Sequence, residues 1–160
     1  MLPDPHPPVE SADCVALAED LLARPFPAAP TGVYDWVIGR AQSRPDRHFV
    51  PVAASEVLEY APAERWAEDE DELEQRRRQM VSALTAAWGP PQIHSFEPDF
   101  ERIVEGEELP PVIQDLTLFS FGHHADTWQR GGRIVCVMLG QFDKHYPIVL
   151  MLAVTAQPLW

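Results

Sequence analysis

His123, His124 and Asp126 place two imidazoles and a carboxylate in one short stretch, and Asp143 and His145 repeat the combination further on. Such donors suit zinc or iron, and a catalytic zinc takes three protein ligands with one position left open. A metal reading therefore joins His123, His124, Asp126 and His145, and would make the chain a small metal-binding protein or metal-dependent enzyme. The spacing matches no standard ligand motif. Adjacent histidines in a strand point to opposite faces, so only a loop would bring both to one ion.

Other chemistries have less in their favour. No G-x-S-x-G occurs, and Ser120 near His123 is a pairing without a third group to orient it. Cys14 and Cys136 share no motif, and Cys136 lies in an apolar run, where cysteine acts as a small hydrophobe. Gly131-Gly132 lacks the Lys-Ser/Thr and the helix of a phosphate-cradling loop. Carboxylate neighbours such as Asp99 and Glu101 carry little weight in a chain with 25 acids. No catalytic set is complete and no cofactor is expected.

The charge balance is more informative. Net charge is −13. Such a surface repels phosphate backbones and anionic lipids. Nucleic-acid binding needs a basic patch and is excluded. An acidic surface aids solubility; it also steers a basic protein partner toward the chain. The acidic run Glu68, Asp69, Glu70, Asp71 and the terminal Trp160 are the expected partner-facing residues. The same run precedes Arg76, Arg77 and Arg78, with Glu72–Arg76 and Glu74–Arg78 at helical pairing distance, which also describes a solvated helix face. Five tryptophans either fill a core or, where exposed beside acids, make a binding hot spot.

Elements must position these residues. Residues 1–10 carry four prolines and read as a flexible arm; 11–160 read as one domain. Residues 11–24 predict a helix capped by Ser11, with Cys14, Val15, Ala18, Leu21 and Leu22 on one face. Thr31 can cap a second short helix with Val33, Trp36 and Val37 as its stripe. Residues 44–62 read as an edge strand or irregular, because Pro51 cannot donate to a ladder. Residues 62–88 predict the longest helix, burying Leu73, Met80, Val81, Leu84, Ala87 and Trp88. A short strand at 93–96, a short helix at 97–105 and a strand at 116–121 follow, with Pro110-Pro111 as a break.

Gly131-Gly132 between strand-like runs is a hairpin signal. Residues 134–139 and 148–154 are near-continuous apolar strands, expected to be central and to pair antiparallel. Residues 141–146 then form their connection, with Gly140 as bend, Asp143 as turn former and Pro147 at the next strand's start. Helices come mostly first and strands last. The fold class is α+β: an antiparallel sheet, the C-terminal β-meander, packed against helices from the N-terminal half.

Ala87, Trp88, Gly89 and Pro90, the helix ending in Glu105-Gly106-Glu107, and Trp128 to Arg133 followed by Gly140 to Asp143 and Pro147 carry a resemblance. Over roughly the C-terminal half, the pattern resembles small uncharacterised proteins of high-GC actinobacteria. Some acidic proteins of this size in such genomes resemble immunity proteins, which neutralise a toxin domain. The charge of −13 and the lack of a complete catalytic set lead to the expectation of a non-enzymatic protein that binds a basic protein partner, and the resemblance implies that it is immunity-like. No window is apolar enough for a membrane span, and the first residues lack the basic and apolar regions of a signal peptide. A cytoplasmic location is expected.

Overall fold

The two most apolar runs of the chain lie side by side in the middle of a sheet. In the computed structural model, which describes residues 13–29 and 41–156, they are β5 (Arg133–Gly140) and β6 (Val149–Thr155). They pair antiparallel with Val137 opposite Leu152 and Met138 opposite Met151. Their residues alternate between two apolar layers. Val135, Val137, Leu150, Leu152 and Val154 face one cluster; Ile134, Cys136, Met138, Val149, Met151 and Ala153 face the other. A strand covered on both faces needs apolar residues on both, which explains why the two runs are continuous and not alternating.

The remaining strands extend this pair. β1 (Gln42–Arg44) and β2 (Arg47–Ala54) lie beyond β6, while β4 (His124–Arg130) and β3 (Gln92–Ser95) lie beyond β5. The order is β1-β2-β6-β5-β4-β3, and all adjacent pairs are antiparallel. The β4–β5 turn is made by Gly131 and Gly132 at φ 57° and 80°, the two successive left-handed positions of a type I′ hairpin.

Helices cover both faces. α1 (Cys14–Ala23) and α2 (Ala63–Trp88) bury Cys14, Ala18, Leu21, Leu73, Met80 and Leu84 on the first layer. α4 (Pro111–Ser120), preceded by α3 (Glu97–Val104), buries Val112, Leu116 and Phe119 on the second. Each such aliphatic or aromatic side chain contributes about 1.5–3 kcal/mol on full burial. The fold is α+β, an antiparallel sheet packed against the N-terminal helices α1 and α2 as expected, and α4 adds a second layer on the other face.

Three further expectations change. Residues 116–121 are not a strand; 116–120 belong to α4 and Phe121 ends it. Pro111 stands in the first turn of that helix, where its fixed φ is pre-organised and no helical N–H is lost, so the proline pair starts an element instead of breaking one. Residues 44–62 supply β2 and the last residue of β1, and β2 has neighbours on both sides near its start. Pro51 is tolerated because β1 pairs only with Arg47, His48 and Phe49, and because a bulge shifts the register between Pro51 and Ala53. On α2 the buried stripe holds Leu73, Met80 and Leu84, with Val81 and Trp88 partly buried, but Ala87 is exposed and Arg77 lies between Leu73 and Met80. The arm at 1–10, Ser11, the short helix at Thr31, Trp36 and Trp160 lie outside the described residues.

Candidate functional site

One end of the sheet collects the ends of four central strands: the last residues of β2 and β5 and the first of β4 and β6. Beside it runs the N-terminal half of α2. Between them lies a cleft of about 510 Å³. α2 lends Glu70, Asp71 and Glu74; the α4–β4 corner lends Phe119, Phe121 and His123; the β5–β6 connection lends Gly140, Gln141, Asp143 and Lys144. Four carboxylates thus face one concavity, with one ammonium at its lip. Lys144 is the only lysine in the chain.

Local structure fixes these walls. The α4 helix stops at Phe121, which adopts a left-handed conformation at φ 58°. Its N–H donates to the Leu118 carbonyl at 3.3 Å, and Gly122 N–H donates to Thr117 at 3.2 Å, closing the helix end. A non-glycine residue in that region costs about 1–3 kcal/mol, and such strain concentrates at functional sites. The cost keeps a phenyl ring in solvent: Phe121 is 64 % exposed and leans on Phe100 at 5.5 Å between ring centres.

Gly140 touches the end of the same helix. A methyl group there would overlap the Phe119 carbonyl oxygen and lie 2.7 Å from the Phe119 ring. Gln141 N–H donates to that carbonyl at 3.1 Å.

Residues 141–146 are a strand-to-strand connection with its own hydrogen bonds. Asp143 Oδ1 accepts from His145 N–H at 2.7 Å, its carbonyl accepts from Tyr146 N–H at 2.9 Å, and Gln141 Nε2 donates to the Tyr146 carbonyl at 2.9 Å. The same corner forms one wall of the cleft. Asp143→Asn keeps the Oδ1 acceptor, and Lys144→Ala removes an exposed side chain. Each is expected to change the free energy of unfolding by less than about 0.5 kcal/mol, read from the urea midpoint.

A second connection borders this end. The β2–α2 loop exposes Val57 at 56 % and Tyr60 at 93 %, while Leu58 between them is buried. Ser55 N–H donates to the Ile148 carbonyl at 2.9 Å and Ile148 N–H donates to Ser55 Oγ at 3.0 Å, so the loop is fastened to the start of β6.

The histidines and acids singled out in the sequence are dispersed. His123 lines the cleft. His124 opens β4 opposite Ser95 and is exposed. Asp126 is buried and bound by Arg77 Nη1 at 2.5 Å across 49 residues of sequence. His145 Nδ1 lies 2.7 Å from Glu59 Oε2. Among the described residues no three His, Cys, Asp or Glu side chains form a metal-holding group, so His123, His124, Asp126 and His145 do not converge as the metal reading required.

Ser120 is buried and donates to the Thr117 carbonyl, not to His123. In the acidic run, Glu70 and Asp71 reach the cleft, Asp69 pairs with Arg65 at 3.2 Å, and Glu68 is exposed. Glu74 joins them, and Arg77, donating to it at 2.7 and 2.8 Å, holds its carboxyl below the usual range.

Phe121 and Glu74 are the residues that the sequence reading missed at this site. A Phe-Gly pair after an apolar helical stripe was the available signal for the first, since glycine commonly follows a helix end. For the second, nothing local reveals that its arginine turns inward. Comparison of the chain with family models, with curated proteins and with solved structures finds no match. Function is therefore argued from these side chains.

Proposed function

We propose that this protein is a non-enzymatic acidic binding protein whose cleft end receives a basic protein partner, in the manner of an immunity protein. The observation that carries the reading is the meeting of Glu70, Asp71 and Asp143 with exposed Phe121 around one cleft. Carboxylates steer a cationic surface into place, and rigid exposed aromatics are the side chains that most often dominate binding energy. Tyr60 and Val57 are exposed on the β2–α2 loop, which is fastened to the same end of the sheet. The net charge of −13 and the resemblance to small actinobacterial proteins point the same way. No described helix is long and apolar enough to cross a membrane; a cytoplasmic site of action goes with this reading.

The test is capture from native lysate followed by titration with salt. Binding in the nanomolar to micromolar range is expected, weakening by about tenfold or more as screening shortens from about 10 Å at 0.1 M salt to about 3 Å at 1 M. Glu70→Lys combined with Asp71→Lys, both on the exposed helix face, is expected to abolish capture with an unchanged melting temperature. Failure to recover a specific partner at low salt, or capture indifferent to both salt and charge reversal, overturns the proposal.

A further inference from the structure

A polar cluster at the opposite end of the sheet takes no part in the cleft. α1 ends at Ala23, and the last carbonyls of a helix have no partner within it. Here the sheet supplies the partners. Arg133, at the start of β5, donates from Nη1 to the Leu21 carbonyl at 3.1 Å and to the Arg24 carbonyl at 2.7 Å. His48 of β2 places Nε2 3.2 Å from the same Arg24 carbonyl. Its other nitrogen, Nδ1, lies 2.6 Å from Ser43 Oγ in β1.

A carbonyl can only accept, so Nε2 carries the proton. In the neutral ring Nδ1 then accepts from the Ser43 hydroxyl. His48 is 1 % exposed and packs on Phe26 at 4.7 Å between ring centres, while the Arg133 guanidinium covers the other part of that ring at 3.9 Å. One neutral imidazole therefore ties β1, β2 and the end of α1 together.

We propose that His48 is an acid-sensitive latch, whose protonation releases α1 from the sheet. Among the described residues, the charged groups that act on the ring are Asp20 of α1 and Arg24 just past its end, paired with each other at 2.6 Å, and Arg133 from β5. β1 presents Ser43, and β6 presents Val154 in register with His48. Arg47, with Asp46 and Asp115, belongs to the other face, since neighbouring strand residues point oppositely. A proton on Nδ1 reverses the hydrogen bond with Ser43 and sets a third cation beside two arginines on a buried ring.

Burial, first, and then the two arginines outweigh the opposing pull of the Arg24 carbonyl and of Asp20 and hold the His48 imidazole below its ordinary value of 6.5. The sign follows: with the folded value below the unfolded one, the stabilisation is complete above the unfolded value. It is lost as pH falls from there through the folded value.

The two cysteines report on the release. Cys14, the first residue of α1, is buried at 1 % exposure, and Cys136 is buried in the middle of β5 at 0 %. The protein is treated with 4,4′-dithiodipyridine from pH about 7.5 down to about 5.5, the range in which histidine titrates. Each rate is divided by that of urea-unfolded protein at the same pH. A several-fold loss of Cys14 protection at the acid end is expected, with Cys136 still protected and with His48→Gln showing no pH trend.

Unchanged Cys14 protection, equal loss at both cysteines, or the same trend in His48→Gln overturns the latch. Should His48→Gln fail to fold, the wild-type His48 ring signal in an NMR titration decides. Coincidence of its midpoint with the loss of Cys14 protection upholds the latch, and separation of the two rejects it.

Discussion

Val137→Asp is expected to leave the protein without a cooperative unfolding transition at room temperature. Val137 is 0 % exposed, in register with Leu152 on one side and Asp126 on the other, and its side chain lies in the layer that α1 and α2 cover. The substitution forfeits the apolar contribution of a buried valine, about 1.5–3 kcal/mol. It also buries a carboxylate without a dedicated partner, which costs several kcal/mol more, on the order of 3 or above. Arg77 already binds Asp126 and Glu74, so the new acid would stand as a like charge beside Asp126. The combined loss consumes most of the stability of an ordinary domain, about 5–15 kcal/mol. Circular dichroism during a urea titration reads it; a cooperative transition near the wild-type midpoint would contradict the central placement of β5.

Gly140→Ala carries the second largest expected effect, about 2–3 kcal/mol, in the range for forced overpacking. The added methyl meets a backbone oxygen, which cannot swing aside as a flexible side chain would. Relief requires moving the end of α4 or the start of the β5–β6 connection. Either movement stretches the Gln141 N–H bond to the Phe119 carbonyl. Both segments line the cleft, so partner binding is expected to weaken together with the urea midpoint. A variant with wild-type stability would show that this contact is looser than described.

These two positions mark what the sequence makes legible. The run containing Val137 is apolar at successive residues, which identifies a strand covered on both faces, and Gly131-Gly132 marks its hairpin. Asp143 and Gly140 identify the connection as a turn by ordinary turn chemistry. What stays hidden depends on tertiary contact. Leu116 to Phe121 alternates weakly like a strand, yet Val112, Leu116 and Phe119 recur at helical spacing once Pro111 is taken as a first-turn residue. Arg77 sits in a run of three arginines that reads as solvated, and only the approach of β4 turns it toward Asp126.

The site follows the same division. Glu70, Asp71 and Asp143 are visible as charge, whereas their convergence depends on how the end of the sheet meets α2. The metal set fails because Asp126 is engaged by Arg77 and His145 lies against Glu59, contacts invisible from spacing alone.

The binding face is tested most directly by hydrogen exchange of the protein with and without its captured partner. Slowed exchange is expected in three segments: 55–61, 119–123 and 140–147. The β4–β5 turn at 130–133, at the far end of the sheet, is expected to exchange at its free rate. Slowing confined to that far end, or spread evenly over the chain with no excess at the cleft, would contradict the assignment of partner binding to this face.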